Sequence, residues 1–228
     1  MPFPLNHNPP FDLLMRPQLG RVDAVVRSIM QQRRAAAALL LLGTTLLSGC
    51  APMLIGGAAV GAAATMHDRR PANVILDDQQ IELEAMSALL RNAEIRDRSQ
   101  IAVTSYNRTL LLTGTADTTE VAQEAATLLS RIGKVQRVVD EIRVGPRLDM
   151  TRQAQDTFIT GRVKTDLIGV RLPGFDPTRV KVVTNNGAVF LMGLVSPAEA
   201  DAAAEKASYV PGVERVVKLF EYVDDNNA

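Results

Sequence analysis

The chain has 228 residues, 46% of them hydrophobic and 22% charged, with 25 basic and 25 acidic side chains and a formal net charge of zero. Balanced charge gives no electrostatic reason to expect a nucleic-acid partner, which calls for a basic patch or stripe. A single cysteine excludes an intramolecular disulfide.

The first 29 residues, with Phe3-Pro4 and Asn8-Pro9-Pro10, read as neither a domain nor a signal. Met30-Gln31-Gln32-Arg33-Arg34 reads as a natural signal start, so translation from Met30 is expected, the alternative being an unusually long n-region. The two arginines precede an apolar run, Ala35 to Leu47, too short for a permanent bilayer span, which needs roughly 20 apolar residues. The run ends on Leu47-Ser48-Gly49-Cys50. This string resembles a lipobox, where bacteria attach diacylglycerol to the cysteine thiol and cut before that cysteine. Small Ser48 and Gly49 let extended backbone enter a peptidase groove, and Cys50 supplies the sulfur to be lipidated. Residues 1–49 are therefore set aside as a lipoprotein signal peptide region. They carry five arginines and two aspartates, so the mature chain keeps 20 basic and 23 acidic residues and is mildly acidic.

Residues 50–77 are expected to be a lipidated tether. Ala51 to Thr65 is small and apolar, with Gly56, Gly57 and Gly61, and lacks the large side chains that build a core; Pro71 and its polar neighbours continue the linker to about Leu76.

From Asp78 the chain repeats itself. Asp78, Ile81, Ala85 and Leu89 form a helical stripe, and Asp156, Ile159, Val163 and Leu167 repeat it 78 residues later. Two strand-like runs follow in each copy, Ile101–Tyr106 with Thr109–Gly114, and Val180–Thr184 with Ala188–Gly193. Asn107-Arg108 and Asn185-Asn186-Gly187 read as their hairpin turns, and Gly114 and Gly193 as hairpin ends. Ala-rich helices come next, one opened by Asp117 with Glu120 as a capping box, the other by Ser196-Pro197-Ala198-Glu199. A last strand closes each copy, Val135 to Val144 and Val213 to Val223. The order α-β-β-α-β, twice, implies an α+β fold: two small domains, 78–146 and 150–224, each a mixed three-stranded sheet with two helices on one face. Gly145 to Asp149 is the joint. Apolar residues on both faces of the middle strands, above all Val189 to Leu194, imply strands covered on both sides, by their own helices and by either the other domain or a partner protein.

A lipobox signal, a Gly/Ala tether and two such repeats opening D-x-x-I-x-x-x-(A/V)-x-x-x-L resemble the dual BON-domain lipoproteins. NNGAVFLMGLV (185–195), VERVV (213–217) and the closing G-V-x-x-V-V pattern are similar to that family. Leu172-Pro173-Gly174-Phe175-Asp176-Pro177 departs from a plain BON unit. The resemblance implies triacylation (with palmitate) of Cys50, binding of anionic phospholipid and support of outer-membrane integrity. Ala51 after Cys50, in place of aspartate, implies lipid anchoring in the outer membrane, facing the periplasm. The alternative function is a structural or adaptor lipoprotein that binds other envelope proteins through its BON domains.

No enzymatic constellation is legible. His67 is the one histidine of the mature chain and an acylated Cys50 is blocked, so neither a His/Cys metal site nor a Ser-His or Cys-His couple can be assembled; no metal and no cofactor are expected. Asp78 and Asp156 are expected to be helix caps in preference to catalytic carboxylates. For lipid, the second domain is favoured. Phe158 lies about 100° off the inward stripe, and Arg162 one turn further along the same flank. A ring among glycerol groups beside a guanidinium on phosphate suits a membrane interface. The first domain has Gln80 and Glu84 at those positions. Leu172 and Phe175 either extend the lipid-facing patch or form a pocket that takes Phe158 into the core.

Overall fold

A computed structural model describes residues 68–223. Cys50, the signal region, Ala51 to Thr65, His67 and the acidic tail from Asp224 lie outside the described residues.

In chain order the elements are α1 (Ala72–Arg91), α2 (Ala93–Arg98), β1 (Ser99–Tyr106), β2 (Thr109–Ala116), α3 (Thr119–Ser130) and β3 (Arg137–Val144). The second domain follows with α4 (Met150–Ile168), a 3-10 turn (Pro177–Arg179), β4 (Lys181–Asn185), β5 (Ala188–Val195), α5 (Pro197–Ser208) and β6 (Arg215–Tyr222). Each domain is a three-stranded sheet whose middle strand pairs antiparallel with the strand before it and parallel with the strand after it. The parallel partner is reached through a helix, since a tight turn cannot return a chain in the same direction.

Several local expectations are corrected. α1 starts at Ala72, six residues before Asp78, so the chain is helical where a linker was expected. Its N-cap position holds Pro71 with no side-chain cap bond, while α4 is capped by Asp149, which accepts the Arg152 N–H at 2.7 Å. Asp78 and Asp156 sit well inside their helices and are buried, so neither is a cap. α3 is capped by Thr118 and not by Asp117. Ser196 and Glu199 do form the expected capping box. Gly114 and Gly193 lie within β2 and β5 and do not end them. A Cβ at Gly114 would fall 1.9 Å from the Gln100 carbonyl oxygen, and one at Gly193 2.5 Å from that of Arg179, so backbone approach dictates both glycines. α2 is an additional helix of the first domain; the same stretch of the second is the irregular loop that carries Leu172 and Phe175.

Both hairpins close with two residues at positive φ, Asn107 and Arg108 in the first and Asn186 and Gly187 in the second, the turn that matches strand twist. Each domain has its own core between helices and sheet. Ile81, Ala85, Ile95, Leu110, Leu112 and Leu129 build the first, and Ile159, Val163, Leu167, Val189, Leu191 and Ala203 the second.

A third cluster joins the domains. Leu111 of β2 and Tyr106 of β1 meet Ala188, Phe190 and Met192 of β5, with Val139, Val183, Leu194, Val217 and Leu219 around them. Alternation along β2 and β5 sends one set of side chains to the helices and the other to the opposing sheet. The two sheets therefore pack face to face, and Phe190 is covered by the first domain. Polar bonds rim this contact: Lys181 to Glu82 at 2.9 Å, Asn107 to Glu221 at 2.6 Å and Arg215 to Glu141 at 2.6 Å.

Candidate functional site

The two repeated aspartates are bound to the hairpins. Asp78 accepts the backbone N–H of Asn107 at 2.8 Å and of Arg108 at 2.7 Å, the Ser105 hydroxyl at 2.7 Å and the Arg70 guanidinium at 2.7 Å. Asp156 accepts the N–H of Asn186 at 2.7 Å and of Gly187 at 2.9 Å. Turn amides at positive φ point inward and would otherwise be unsatisfied, so each carboxylate fixes the hairpin onto its first helix. Positive φ at Arg108, unusual for a side chain of that kind, is supported by Asp78 on its amide and by Asp77 on its guanidinium at 2.7 Å. These oxygens are committed to structure, which leaves no free catalytic carboxylate at either position.

The outer face of α4 carries the residues expected to touch lipid. Phe158 is 65% exposed, so it is not a core residue. The Arg162 guanidinium carbon lies 6.0 Å from the centre of its ring, at the outer limit of a cation–π contact, and Arg162 is itself exposed. Leu172 and Phe175 are not brought to this pair. Phe175 is half-buried against the second domain's core. Leu172, also half-buried, lines an open recess of about 630 Å³ with Arg171, Lys206 and Tyr209 at the far end of α4. That recess begins at Gly169, roughly 16 Å along the helix axis from Phe158 at 1.5 Å per residue.

Sequence reasoning missed two members of this face. Met150 is 79% and Ile168 72% exposed, and Lys164 is exposed between them. Met150 and Ile168 are 18 residues apart, five turns of helix, so they share a face. That spacing was the available signal. Of these exposed residues only Phe158 and Arg162 meet; Lys164 and Ile168 turn to a separate recess beside Asp68, Arg70 and Tyr106.

The corresponding face of α1 differs. Leu76, Leu83, Met86 and Leu90 are each more than half exposed. Gln80 and Asp77 hold Lys134, at 2.7 and 2.6 Å, and Glu84 is exposed. Hydrogen bonds from Lys134 and then Arg108 hold the Asp77 carboxyl below the usual carboxylate range, and the two cations offset its charge.

Among the described residues no group of three or more His, Cys, Asp or Glu side chains could hold a metal ion. No helix among them is long and apolar enough to cross a membrane.

Comparison with known proteins agrees with this architecture. The BON domain family model matches residues 77–146 and again 155–224. The chain is similar to the outer membrane lipoprotein DolP of Haemophilus influenzae, 35% identical over 177 residues that make up 77% of this chain and 90% of that protein. It is similar also to a 21 kDa hemolysin of Actinobacillus pleuropneumoniae, 36% identical over 156 residues, 68% of this chain and 79% of the relative. Among solved structures, CdsD, a structural protein of the type III secretion system of Chlamydia trachomatis, matches 66% of each chain at 17% identity with a TM-score of 0.26. The tandem α-β-β-α-β units and the family match agree: the chain belongs to the BON-domain family and carries two BON domains.

Proposed function

We propose that this protein is a lipid-anchored component of the bacterial outer membrane, facing the periplasm, whose second BON domain binds anionic phospholipid and so supports membrane integrity. The observation that carries the reading is the exposed Phe158 with Arg162 at its ring on the outer side of α4. Rings and aliphatic side chains partition among glycerol and upper acyl groups, and the cations pair with phosphate. The name of the Haemophilus influenzae relative, an outer membrane lipoprotein, favours the same compartment. The Cys50 thiol is the anchor in this reading, and each acyl CH₂ buried contributes ~0.8 kcal/mol to retention. Nothing in the function calls for catalysis.

Two experiments test it. Cys50→Ser should release the protein from the outer-membrane fraction; unchanged fractionation would remove the anchor. Phe158→Glu with Arg162→Glu, in the chain from residue 66 onward, should abolish binding to phosphatidylglycerol vesicles while leaving the melting temperature unchanged. A folded double variant that still binds would remove this face from the function.

A second reading has its own observation. The stripe Leu76, Leu83, Met86 and Leu90 on α1 is apolar and uncovered, which favours an adaptor that binds another envelope protein through its first domain. Loss of function in Leu83→Glu with intact vesicle binding would support that reading over the lipid one.

A further inference from the structure

Asp68, Arg69 and Arg70, which precede the Pro71 N-cap of α1, grip both domains. Arg70 bonds within the first: its guanidinium donates to Asp78, is held by Asp68 at 2.6 Å, and lies 3.8 Å from the centre of the Tyr106 ring. Arg69 turns to the second domain. One of its terminal nitrogens donates to the Leu194 carbonyl at 3.0 Å and to Glu199 at 2.6 Å. Glu199 also accepts Arg179 at 3.2 Å and the Ser196 N–H at 2.8 Å, so it caps α5 while binding Arg69.

The partners of Leu194 show what this grip replaces. β4 begins at Lys181, which pairs with Met192 of β5. The next bonded pair of an antiparallel ladder would fall at Leu194, but the chain opposite is the 3-10 turn at Pro177–Arg179. Leu194 therefore has no strand on that side. Its N–H donates to the Tyr106 hydroxyl at 3.4 Å and its carbonyl accepts from Arg69. In the first domain the equivalent residue, Thr115, is paired with Gln100 by a full-length β1.

We propose that Asp68–Arg70 is a clasp that completes the second domain's sheet from outside it. The order of the β5–α5 corner then depends on the N-terminal segment being in place, whereas the β1–β2 ladder of the first domain is complete by itself. Arg69 and Tyr106 occupy the ladder positions that β4 leaves open, and Arg69 ties the same spot to the start of α5. Because the clasp lies where the preceding segment enters the fold, displacing that segment would loosen the end of β5 and the first turn of α5 ahead of anything else. Arg69 is the arm of the clasp that reaches the second domain, while Arg70 stays with Asp78 and Tyr106 of the first.

The test is amide hydrogen exchange on the full chain in detergent micelles. Arg69→Ala should speed exchange tenfold or more from Leu194 through Ala200, with Thr113 to Ala116 of β2 unchanged. Tyr106→Phe, which keeps the ring and removes the acceptor, should speed exchange at Leu194 and spare the α5 amides; it preserves the test if Arg69→Ala fails to fold. Lys181→Ala, which removes a different contact between the domains, should not reproduce the pattern. Equal acceleration in both domains, or protection at 194–200 unchanged in both clasp variants, would overturn the proposal.

Discussion

Helices α1 and α4 bury the same stripe and turn different faces outward. Inside, Asp78, Ile81, Ala85 and Leu89 correspond one for one with Asp156, Ile159, Val163 and Leu167. Outside, Leu76, Leu83, Met86 and Leu90 of α1 stand where α4 has Ala154, Gly161, Lys164 and Ile168. Phe158 and Arg162 stand where α1 has Gln80 and Glu84. Burial against a sheet constrains the inward positions in both copies, while the outward ones answer only to what meets them. α1 has the longer apolar stripe and α4 the cations. For an anionic surface the flanking charge decides: α4 has Arg162 beside its exposed ring, where α1 has the acidic Glu84.

The comparison can be broken most forcefully at the position where the domains touch. Phe190→Asp removes a fully buried ring, about 3–5 kcal/mol, and adds an ion whose burial costs several more. The sheets should part, read as an increased radius in small-angle scattering; an unchanged radius would mean the face-to-face contact is wrong. Next come the paired carboxylates. Asp78→Ala leaves two turn amides and the Ser105 hydroxyl without their acceptor and takes one of its two carboxylates from Arg70, which Asp68 still holds, so its cost in denaturant unfolding should exceed that of Asp156→Ala. Asp156→Ala strands the two turn amides alone, so roughly 1–3 kcal/mol is expected. Equal losses would erase that difference between the copies. On the outer faces, Leu83→Glu should leave stability within about 0.5 kcal/mol and vesicle binding unchanged, in contrast to the paired Phe158 and Arg162 substitutions.

The smallest effect concerns pH. Burial pushes the Glu199 carboxyl up, but the Arg69 hydrogen bond, the Ser196 N–H and the Arg69 and Arg179 charges outweigh it and hold the group below its ordinary 4.5. A carboxylate depressed in the folded state adds stability above its unfolded value, and that stability is lost as pH falls through the folded value. The melting-temperature difference between wild type and Glu199→Gln should therefore be full at pH 7 and close below about pH 4.5. A difference that persists in acid would show that Glu199 acts through shape and not charge. The first domain has Val121 at that position, so Val121→Ala should show no such pH dependence.

The repeat and its core were legible because burial writes period into sequence. Ile81, Leu110 and Leu112 announce themselves by spacing, as do Ile159, Val189 and Leu191. Roles that depend on distant partners were not. Asp78 and Asp156 were visible as a repeated acid, yet their function is set by turn amides 29 to 31 residues away, so the local reading favoured a helix cap. Arg108 at positive φ runs against its own preference and is tolerated only because two aspartates on α1 receive it. The start of α1 was missed because Pro71 supplies no capping side chain to mark it. On the outer face of α4 the aromatic–cation pair was readable at short range. Met150 and Ile168 were not, because five turns separate them and the positions along that line between them, Ala154, Thr157, Gly161 and Lys164, carry no large apolar side chain. Leu172 and Phe175 were grouped with that pair by nearness in sequence, and the length of a helix sets them apart.

The clasp also has a place in time. Arg69 meets Leu194 and Glu199 across 125 and 130 residues of chain, a separation far larger than any contact inside a single domain. Contacts of such sequence separation bear the largest loop-closure entropy and form late unless folded intermediate structure has already shortened the loop. Here it has: the first domain, with its own core and hairpin, brings residue 70 and the joint at residue 145 into one folded body before β5 exists. Synthesis proceeds from the N-terminus, so Arg69 waits on a finished domain for a strand still to be made. With the first domain folded, closing the clasp spans only the chain from the joint to β5 and α5, a separation like those within one domain.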